Sequence, residues 1–315
     1  MINLDIIDVG HGNATVVRER GVNVVFDAAP GGALIAYLKE HGIETVDLFV
    51  LSHSDFDHIG GLIAVLNSGI RIGRVLLNSD GTKGSEAWRD LLFALDDAQR
   101  KGRIEFEVGL TEGPLEVNGL SECSFEVLSP SRALAGLGAG NRSRCQRVIT
   151  SNTISAVIRV KQGDRGVAFL AADMDCIALA ELERNGRDMR AELLVYPHHG
   201  GLPGDGDVED FVRRLCGRVE PKAVAFSNGR GRFDNPRQEV IKAVRRSLTP
   251  AYICCTQLSE RCAEHHPDDA PRRKARQCAG RVTAEIVGGA VVYPSRPSHQ
   301  AMMDRLAGVP MCSIT

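Results

Sequence analysis

Short apolar runs rich in Val, Ile and Leu recur along the chain, several with polar residues at alternate positions, and they give way to segments with a helical period. The first part predicts strands over residues 4–9, 15–18, 22–27, 47–52 and 74–77, with helices over 33–41, 59–66 and 85–100. The last of these places Leu91, Leu92, Leu95 and Ala98 on one helical face. Strands follow over 104–108, 124–128, 153–160 and 167–171, then a helix over 177–183, a strand over 193–196 and a helix over 208–215. A strand over 223–226 precedes a helix opened by Pro236, a favoured first-turn residue. Strands first and strand–helix alternation later predict a layered α/β (α+β) architecture, with sheets packed face to face and helices outside.

Two segments break this rhythm. Residues 129–150 are Gly-rich and loop-like, and carry Arg132, Arg142, Arg144 and Arg147 with no acidic residue. Residues 260–281 interrupt two strand patterns with Pro, charge and a cluster of Cys and His. The tail after Pro294 predicts one short helix near 300–306.

Composition narrows the function classes. The 315 residues hold 38 Lys and Arg against 40 Asp and Glu, a formal charge of −2, which excludes a globally basic nucleic-acid coat but not local basic patches. Aromatic residues make up only 5%, with Trp88 the one tryptophan, which argues against a stacking platform for single strands. No apolar run approaches the ~20 residues that span a bilayer. The first residues alternate like a strand and lack the basic and apolar regions of a signal peptide. Nine cysteines, an odd number and mostly scattered, do not resemble a secreted disulfide scaffold, so a reduced, cytoplasmic protein is expected.

The chemistry concentrates at strand ends. Leu48-Phe49-Val50-Leu51 runs into Ser52-His53-Ser54-Asp55-Phe56-Asp57-His58, followed by Gly60-Gly61 at a helix entrance. Residues two apart in an extended loop project to one side, so His53, Asp55 and Asp57 converge there. Imidazoles and carboxylates suit a borderline divalent cation. The plainer reading is a helix capped by Asp57 with solvated histidines beside it. A second strand ends on Asp173 and a third on Pro197-His198-His199-Gly200. Strand C-terminal edges are where layered α/β proteins place their sites.

These pieces resemble the metallo-β-lactamase superfamily, in particular the soluble hydrolase domain of the competence DNA-uptake channel protein ComEC. Asp8-Val9-Gly10-His11-Gly12-Asn13-Ala14, Val25-Phe26-Asp27, the run from His53 to Gly61, Asn152 with Ser155, Asp173 and Pro197-His198-His199-Gly200 carry the likeness in the family's order. The resemblance implies an αββα sandwich, placed here over 1–294; the Cys/His-rich insertion at 254–281 within it is not a feature the competence domain generally needs, and a tail follows at 295–315. The resemblance also implies a first metal site using His53 and Asp55, a second using Asp57 and His58, Asp173 bridging them, and His199 (or else His198) closing the second. Asp27 reads as an internal structural carboxylate. Asp57 is the implied water-orienting group and His198 the implied proton donor.

The pattern also departs from the family. No histidine lies between His58 and His198, so the third-motif histidine is missing, and Asp55 stands where the wider superfamily has His. An oxygen-rich first site suits Mn²⁺ or Mg²⁺ over Zn²⁺. His11 stands where the competence domain has Gln; it either replaces the lost ligand or serves structure. Asn235 stands in an altered Gly-His-Pro position. Asn152, Ser155 and the basic Arg142 and Arg144 are further substrate-side expectations.

In the insertion, Cys255, Cys262, Cys278 and one of His265 or His266, taken as His266, offer a tetrahedral structural Zn²⁺ site, with Cys254 turned into the core. Unligated thiols are the alternative. The insertion's basic residues exceed its acidic ones by two, compatible with nucleic acid or with a protein partner. The functional expectation is a two-metal phosphodiesterase or nuclease acting on DNA. A small-molecule ester or phosphodiester hydrolase, or a catalytically degenerate partner-binding subunit, are the alternatives.

Overall fold

The computed structural model describes residues 1–78, 80, 83–231, 233–248, 252–263, 277–306, 310 and 312. The first half of the chain forms β1 (Ile2–Ile6), β2 (Thr15–Glu19), β3 (Val22–Phe26), α1 (Ala33–Glu40) and β4 (Thr45–Leu51). It continues through α2 (Phe56–Ile59), α3 (Leu62–Leu66), β5 (Arg71–Leu77), α4 (Glu86–Arg100) and β6 (Glu105–Val108). Next come β7 (Gly113–Leu115), β8 (Cys123–Ser129), α5 (Arg132–Leu137), β9 (Val157–Gln162), β10 (Arg165–Leu170), α6 (Cys176–Arg184) and β11 (Leu193–Val195). A 3-10 turn at Pro197–Gly200 leads to α7 (Val208–Val219), β12 (Ala223–Phe226), α8 (Gln238–Ser247), β13 (Tyr252–Cys255) and α9 (Glu260–Ala263). The chain then returns through β14 (Val282–Val287), β15 (Ala290–Val292) and α10 (Arg296–Met303).

The strands make two mixed sheets, ordered β15-β14-β1-β2-β3-β4-β5-β6 and β13-β12-β11-β10-β9-β8-β7. Three apolar layers follow from strand alternation. Leu4, Phe26, Phe125, Ile158 and Leu170 fill the space between the sheets. Phe49, Trp88 and Leu95 bind α1, α3 and α4 to the outer face of the first sheet. Phe169, Phe211, Leu215 and Ile241 bind α6, α7 and α8 to the outer face of the second. The result is the expected αββα sandwich. β3 to β6 run parallel, as do β10 to β13, so the C-terminal ends of β4, β10, β11 and β12 deliver the following residues to one common edge.

Several elements differ from their sequence expectations for local reasons. The helix expected over 59–66 splits into α2 and α3 at Gly60-Gly61. There the Gly61 N–H donates to the Ala28 carbonyl at 2.7 Å, and a side chain at Gly61 would stand 2.3 Å from the Ala29 oxygen. The strand expected from residue 153 begins at Val157, because Thr153 and Ser155 turn their hydroxyls to Asp175 and His53 instead of entering a ladder. The helix expected to open at Pro236 starts at Gln238, and the Arg237 N–H is held by the Gly200 carbonyl at 2.9 Å. Residues 129–150 contain α5, capped by the Ser131 hydroxyl, and an antiparallel bridge between Arg142 and Val148. The tail helix runs over Arg296–Met303 and buries His299 and Met303.

Candidate metal centre

The edge where the parallel strands end gathers the histidines and carboxylates of three strand ends and one loop. β4 passes directly into His53, which is buried, then Asp55 and Asp57, which are partly exposed, and His58, which is fully buried. Asp173 follows β10, and His198 and His199 follow β11. Two groups of ligand atoms each lie within 4.8 Å of one another: His53, His58 and Asp173, and His11, Asp57 and His199.

Asp173 belongs to the first group and reaches His199 of the second. Its Oδ2 stands 3.8 Å from His53 Nε2 and 3.9 Å from His198 Nε2. Its Oδ1 stands 3.1 Å from His58 Nε2 and 3.6 Å from His199 Nε2. Asp57 Oδ2 lies 3.2 Å from His199 Nε2 and 3.1 Å from His11 Nε2, while Asp55 Oδ2 is 3.8 Å from His53 Nε2.

The far sides of the rings are held so that Nε2 faces the centre. His58 Nδ1 contacts Asp27 Oδ2 at 2.7 Å, and His199 Nδ1 meets the Ser227 carbonyl at 2.8 Å. His53 Nδ1 has the hydroxyls of Ser52 at 3.0 Å and Ser155 at 3.3 Å. Such outer partners fix the tautomer and aim of a ligating imidazole. Asp27 is itself fixed by the Ser52 N–H at 2.8 Å and the Asn13 side-chain amide at 3.0 Å.

Backbone strain collects at the same edge. Asp27, Ala172, His198, His199, Phe233 and Asp234 all take positive φ, a conformation that residues with side chains seldom adopt and that persists where surroundings impose it. Gly12 carries φ +131°, and a Cβ there would stand 2.4 Å from the Asp57 carbonyl oxygen, so the His11 loop packs directly on the ligand run.

The electrostatics reflect this crowding. Burial works to raise the Asp57 carboxyl, but hydrogen bonds from His11 and His199 and the charge of His58 outweigh it and hold it far below the usual carboxylate range. Asp173 is held low in the same way, burial being overcome by His58 and His199. Burial disfavours a charged His58, yet Asp173 and Asp27 on either side raise it well above an ordinary histidine. His53, by contrast, is pushed down by burial and by the charge of His58. Its Nε2 is buried without a hydrogen-bond partner, while Asp173 Oδ1 has the ring nitrogens of His58 and His199 beside it. A buried, unpartnered ring nitrogen among carboxylates and oriented imidazoles fits a divalent cation and is costly without one.

A cleft of about 570 Å³ opens over these atoms, lined among others by His11, Asp55, Asp57, Lys83, His198, Leu202, Phe233, Asn235 and Arg237. His198 is 39% exposed on its side chain, with Nδ1 on the Leu202 carbonyl at 3.0 Å and Nε2 toward the cleft. Lys83 pairs with the Asp55 carboxylate. Ser155 sits behind His53, with its hydroxyl accepting from the Asp173 N–H at 3.1 Å. Asn152 supports that turn through its carbonyl, which accepts from the Ser155 N–H at 3.2 Å. Arg142 and Arg144 are exposed and do not line the cleft; Arg142 is turned to the Gln146 carbonyl. Lys83, Leu202, Phe233 and Arg237 line it without having been singled out in the sequence, since each sits in a loop with no periodic pattern.

The sequence profile of the Metallo-beta-lactamase superfamily matches residues 7–103, the stretch holding His11, Asp27 and the His53–His58 run. The chain has the metallo-β-lactamase fold. Among solved structures, Tm1679, a metal-dependent hydrolase of the β-lactamase superfamily, shares that fold at 13% identity with a TM-score of 0.51, covering 81% of this chain and 96% of its own. ComE operon protein 3 of Bacillus subtilis (strain 168) is 23% identical over 77% of this chain and 30% of its own length. Competence protein ComA of Neisseria gonorrhoeae is 26% identical over 76% of this chain and 29% of its own. The chain therefore spans under a third of the length of these curated relatives. Among the described residues of this metallo-β-lactamase fold, no helix is long and apolar enough to cross a membrane.

Proposed function

We propose that this protein is a metal-dependent phosphodiesterase that cleaves nucleic acid, with DNA as its substrate. The observation that carries this reading is Asp173, which groups with His53 and His58 and also reaches His199 of the second ligand group, under an open cleft. His53, Asp55 and Asp173 would hold one divalent cation; Asp57, His58, His199 and Asp173 would hold a second. Mn²⁺, Zn²⁺ and Mg²⁺ are the ions to test, the first group being the richer in oxygen. When bound, such cations supply Lewis acidity, bringing water ionisation toward neutral pH and neutralising charge on phosphoryl oxygens.

The chain's own groups supply the rest. Asp57 faces the cleft with its carboxylate ionised and held by His11 and His199, placed to orient a water molecule. His198, with Nδ1 committed to Leu202, leaves Nε2 to hold the proton passed to the leaving oxygen. His11 puts an imidazole beside Asp57 in a chain that lacks the superfamily's third-motif histidine. Lys83 and Arg237 at the cleft wall offer cationic contacts to a phosphate backbone. The likeness to two competence proteins supports nucleic acid over a small ester.

The test is incubation of the purified protein with linear and circular DNA, RNA, and small ester and phosphodiester substrates, each with Mn²⁺, Zn²⁺ or Mg²⁺. DNA cleavage is expected, falling by about a thousandfold or more in Asp57→Ala. Turnover of small substrates with nucleic acid left intact would replace this reading by a small-molecule hydrolase. Inertness toward every substrate would favour a non-catalytic, partner-binding role.

A further inference from the structure

Away from the cleft, on the outer side of the second sheet, the fold collects a second set of metal-ligating side chains. Cys255 ends β13 with its side chain in the helix-side core, whereas its neighbour Cys254 faces the core between the sheets, as strand alternation requires. Cys278 returns beside it: the Cys278 N–H donates to the Thr256 carbonyl at 3.2 Å, and the Ala279 N–H donates to the Cys255 carbonyl at 2.9 Å. Cys262 is buried on α9. From α10, His299 brings Nε2 to 3.2 Å from Cys278 Sγ, while its Nδ1 is held by the Tyr252 hydroxyl at 3.2 Å. Cys312 approaches the same core, with its sulfur 3.8 Å from Met303 Sδ.

We propose that Cys255, Cys262, Cys278 and His299 form a structural Zn²⁺ site that ties α9 and α10 to the end of β13. Three thiolates and one imidazole are a ligand set of the structural kind. The Tyr252 hydroxyl plays the part an outer partner plays in zinc sites, holding one ring nitrogen so that the other faces the metal. His266, the sequence expectation for the fourth ligand, lies outside the described residues; His299, from a helix 21 residues beyond Cys278, stands against that thiol instead. Among the described residues, three ligand atoms within 4.8 Å of one another occur only at the cleft; here Cys278 stands against His299, and binding would draw Cys255 and Cys262 to them.

The site would also act on the cleft wall. Directly after Cys255, the Thr256 hydroxyl accepts from the Asn228 N–H at 3.0 Å and the Gln257 carbonyl accepts from the Asn228 amide at 3.2 Å. Next to Cys262, Arg261 reaches Gln238 at 2.6 Å and Asp234 at 3.3 Å. Asn228 and Asp234 belong to the segment that carries Phe233 and Asn235 to the cleft, so zinc at the thiols would stiffen one side of the substrate opening.

The experiment measures zinc in the full-length protein, purified without added metal, for wild type, Cys278→Ser, His299→Ala and the cleft variant Asp173→Ala. Wild type and Asp173→Ala should retain about one zinc that Cys278→Ser lacks. Because Cys278→Ser disturbs a half-buried position, iodoacetamide labelling of the wild type, mapped by mass spectrometry before and after zinc chelation, reads the same site without a variant. Cys255, Cys262 and Cys278 should label together and at least about tenfold faster once zinc is removed. After Co²⁺ substitution, the thiolate-to-cobalt absorption should correspond to three sulfurs. Zinc found only at the cleft, labelling indifferent to chelation, a Cys255–Cys278 disulfide in the isolated protein, or four sulfurs on cobalt would each overturn the proposal, the last by putting Cys312 in place of His299.

Discussion

Asp27 shows how much of the centre depends on a residue that touches no cation. The residue takes φ 62°, and its carboxylate accepts the Ser52 N–H on Oδ1 while Oδ2 accepts from the Asn13 amide and meets His58 Nδ1 at 2.7 Å. Asp27→Asn keeps the shape but removes the anion that fixes the His58 ring. Outer partners of this kind are worth about 10–100-fold in metal affinity. Calorimetric titration of metal-stripped protein with Mn²⁺ should show a loss in that range, alongside a far-ultraviolet spectrum like that of the wild type. An affinity within twofold of wild type would make Asp27 a purely structural residue. At this scale the sequence was legible wherever chemistry sat at the end of an apolar strand, as with His53, Asp57, Asp173 and His199. It was not legible at Lys83, Phe233 or Arg237, which reach the cleft from loops whose course is set by tertiary contacts. Nor was it at Arg142 and Arg144, where basic composition said nothing of direction.

At the scale of elements, the end of β2 joins the first sheet to the second through one buried carboxylate. Glu19 accepts from the Ser121 hydroxyl at 2.6 Å and from the N–H groups of Glu122 at 3.0 Å and Cys123 at 2.9 Å, just ahead of β8. Burial works to raise this carboxyl, and the Ser121, Cys123 and Glu122 donors outweigh it and hold it below the ordinary value. A carboxyl lowered in the folded state adds stability above its unfolded pKa of about 4.3, and that stability is lost as the pH falls through the folded value. Glu19→Gln should therefore cost about 2 kcal/mol at pH 7 in urea unfolding. The gap should narrow as the pH falls below about 4; a gap independent of pH would refute the assignment.

The strands and long helices that the sequence predicts are those whose period is set by burial on one face, such as β4 and α4. The boundaries it misplaces lie where a segment serves the site. Thr153 and Ser155 leave the strand pattern to bond Asp175 and His53, and Gly60-Gly61 divides a helix to let the Ala28–Ala29 loop approach. The pairing of β14 with β1, which sets Ile2 opposite Ile286, has no local signal at all.

At the scale of the whole molecule, the centre is assembled across the sandwich. His53, Asp55, Asp57 and His58 follow β4 of the first sheet, Asp173 and His199 follow strands of the second, and His11 comes from the β1–β2 connection. A cation bound there would link the two sheets and add a cross-brace that the unfolded chain lacks. Ligand present at about a hundred times its Kd stabilises by about 2.7 kcal/mol, a rise of several degrees in Tm for a domain of this size. Mn²⁺ is the ion to use, because thiolate sites favour softer metals and the Cys255 cluster would contribute little to the shift. The quantity compared is the Tm increment between chelator and saturating Mn²⁺, which cancels whatever a substitution does to the metal-free protein. Asp173→Asn, which removes the carboxylate that belongs to the first group and reaches the second, should lose most of that increment, whereas Glu19→Gln, distant from the edge, should melt lower and keep it. Equal melting of the wild type with and without Mn²⁺ would mean that the unpartnered His53 Nε2 and the Asp173 carboxylate beside it do not mark a cation site, and with it the proposed two-cation chemistry would fall.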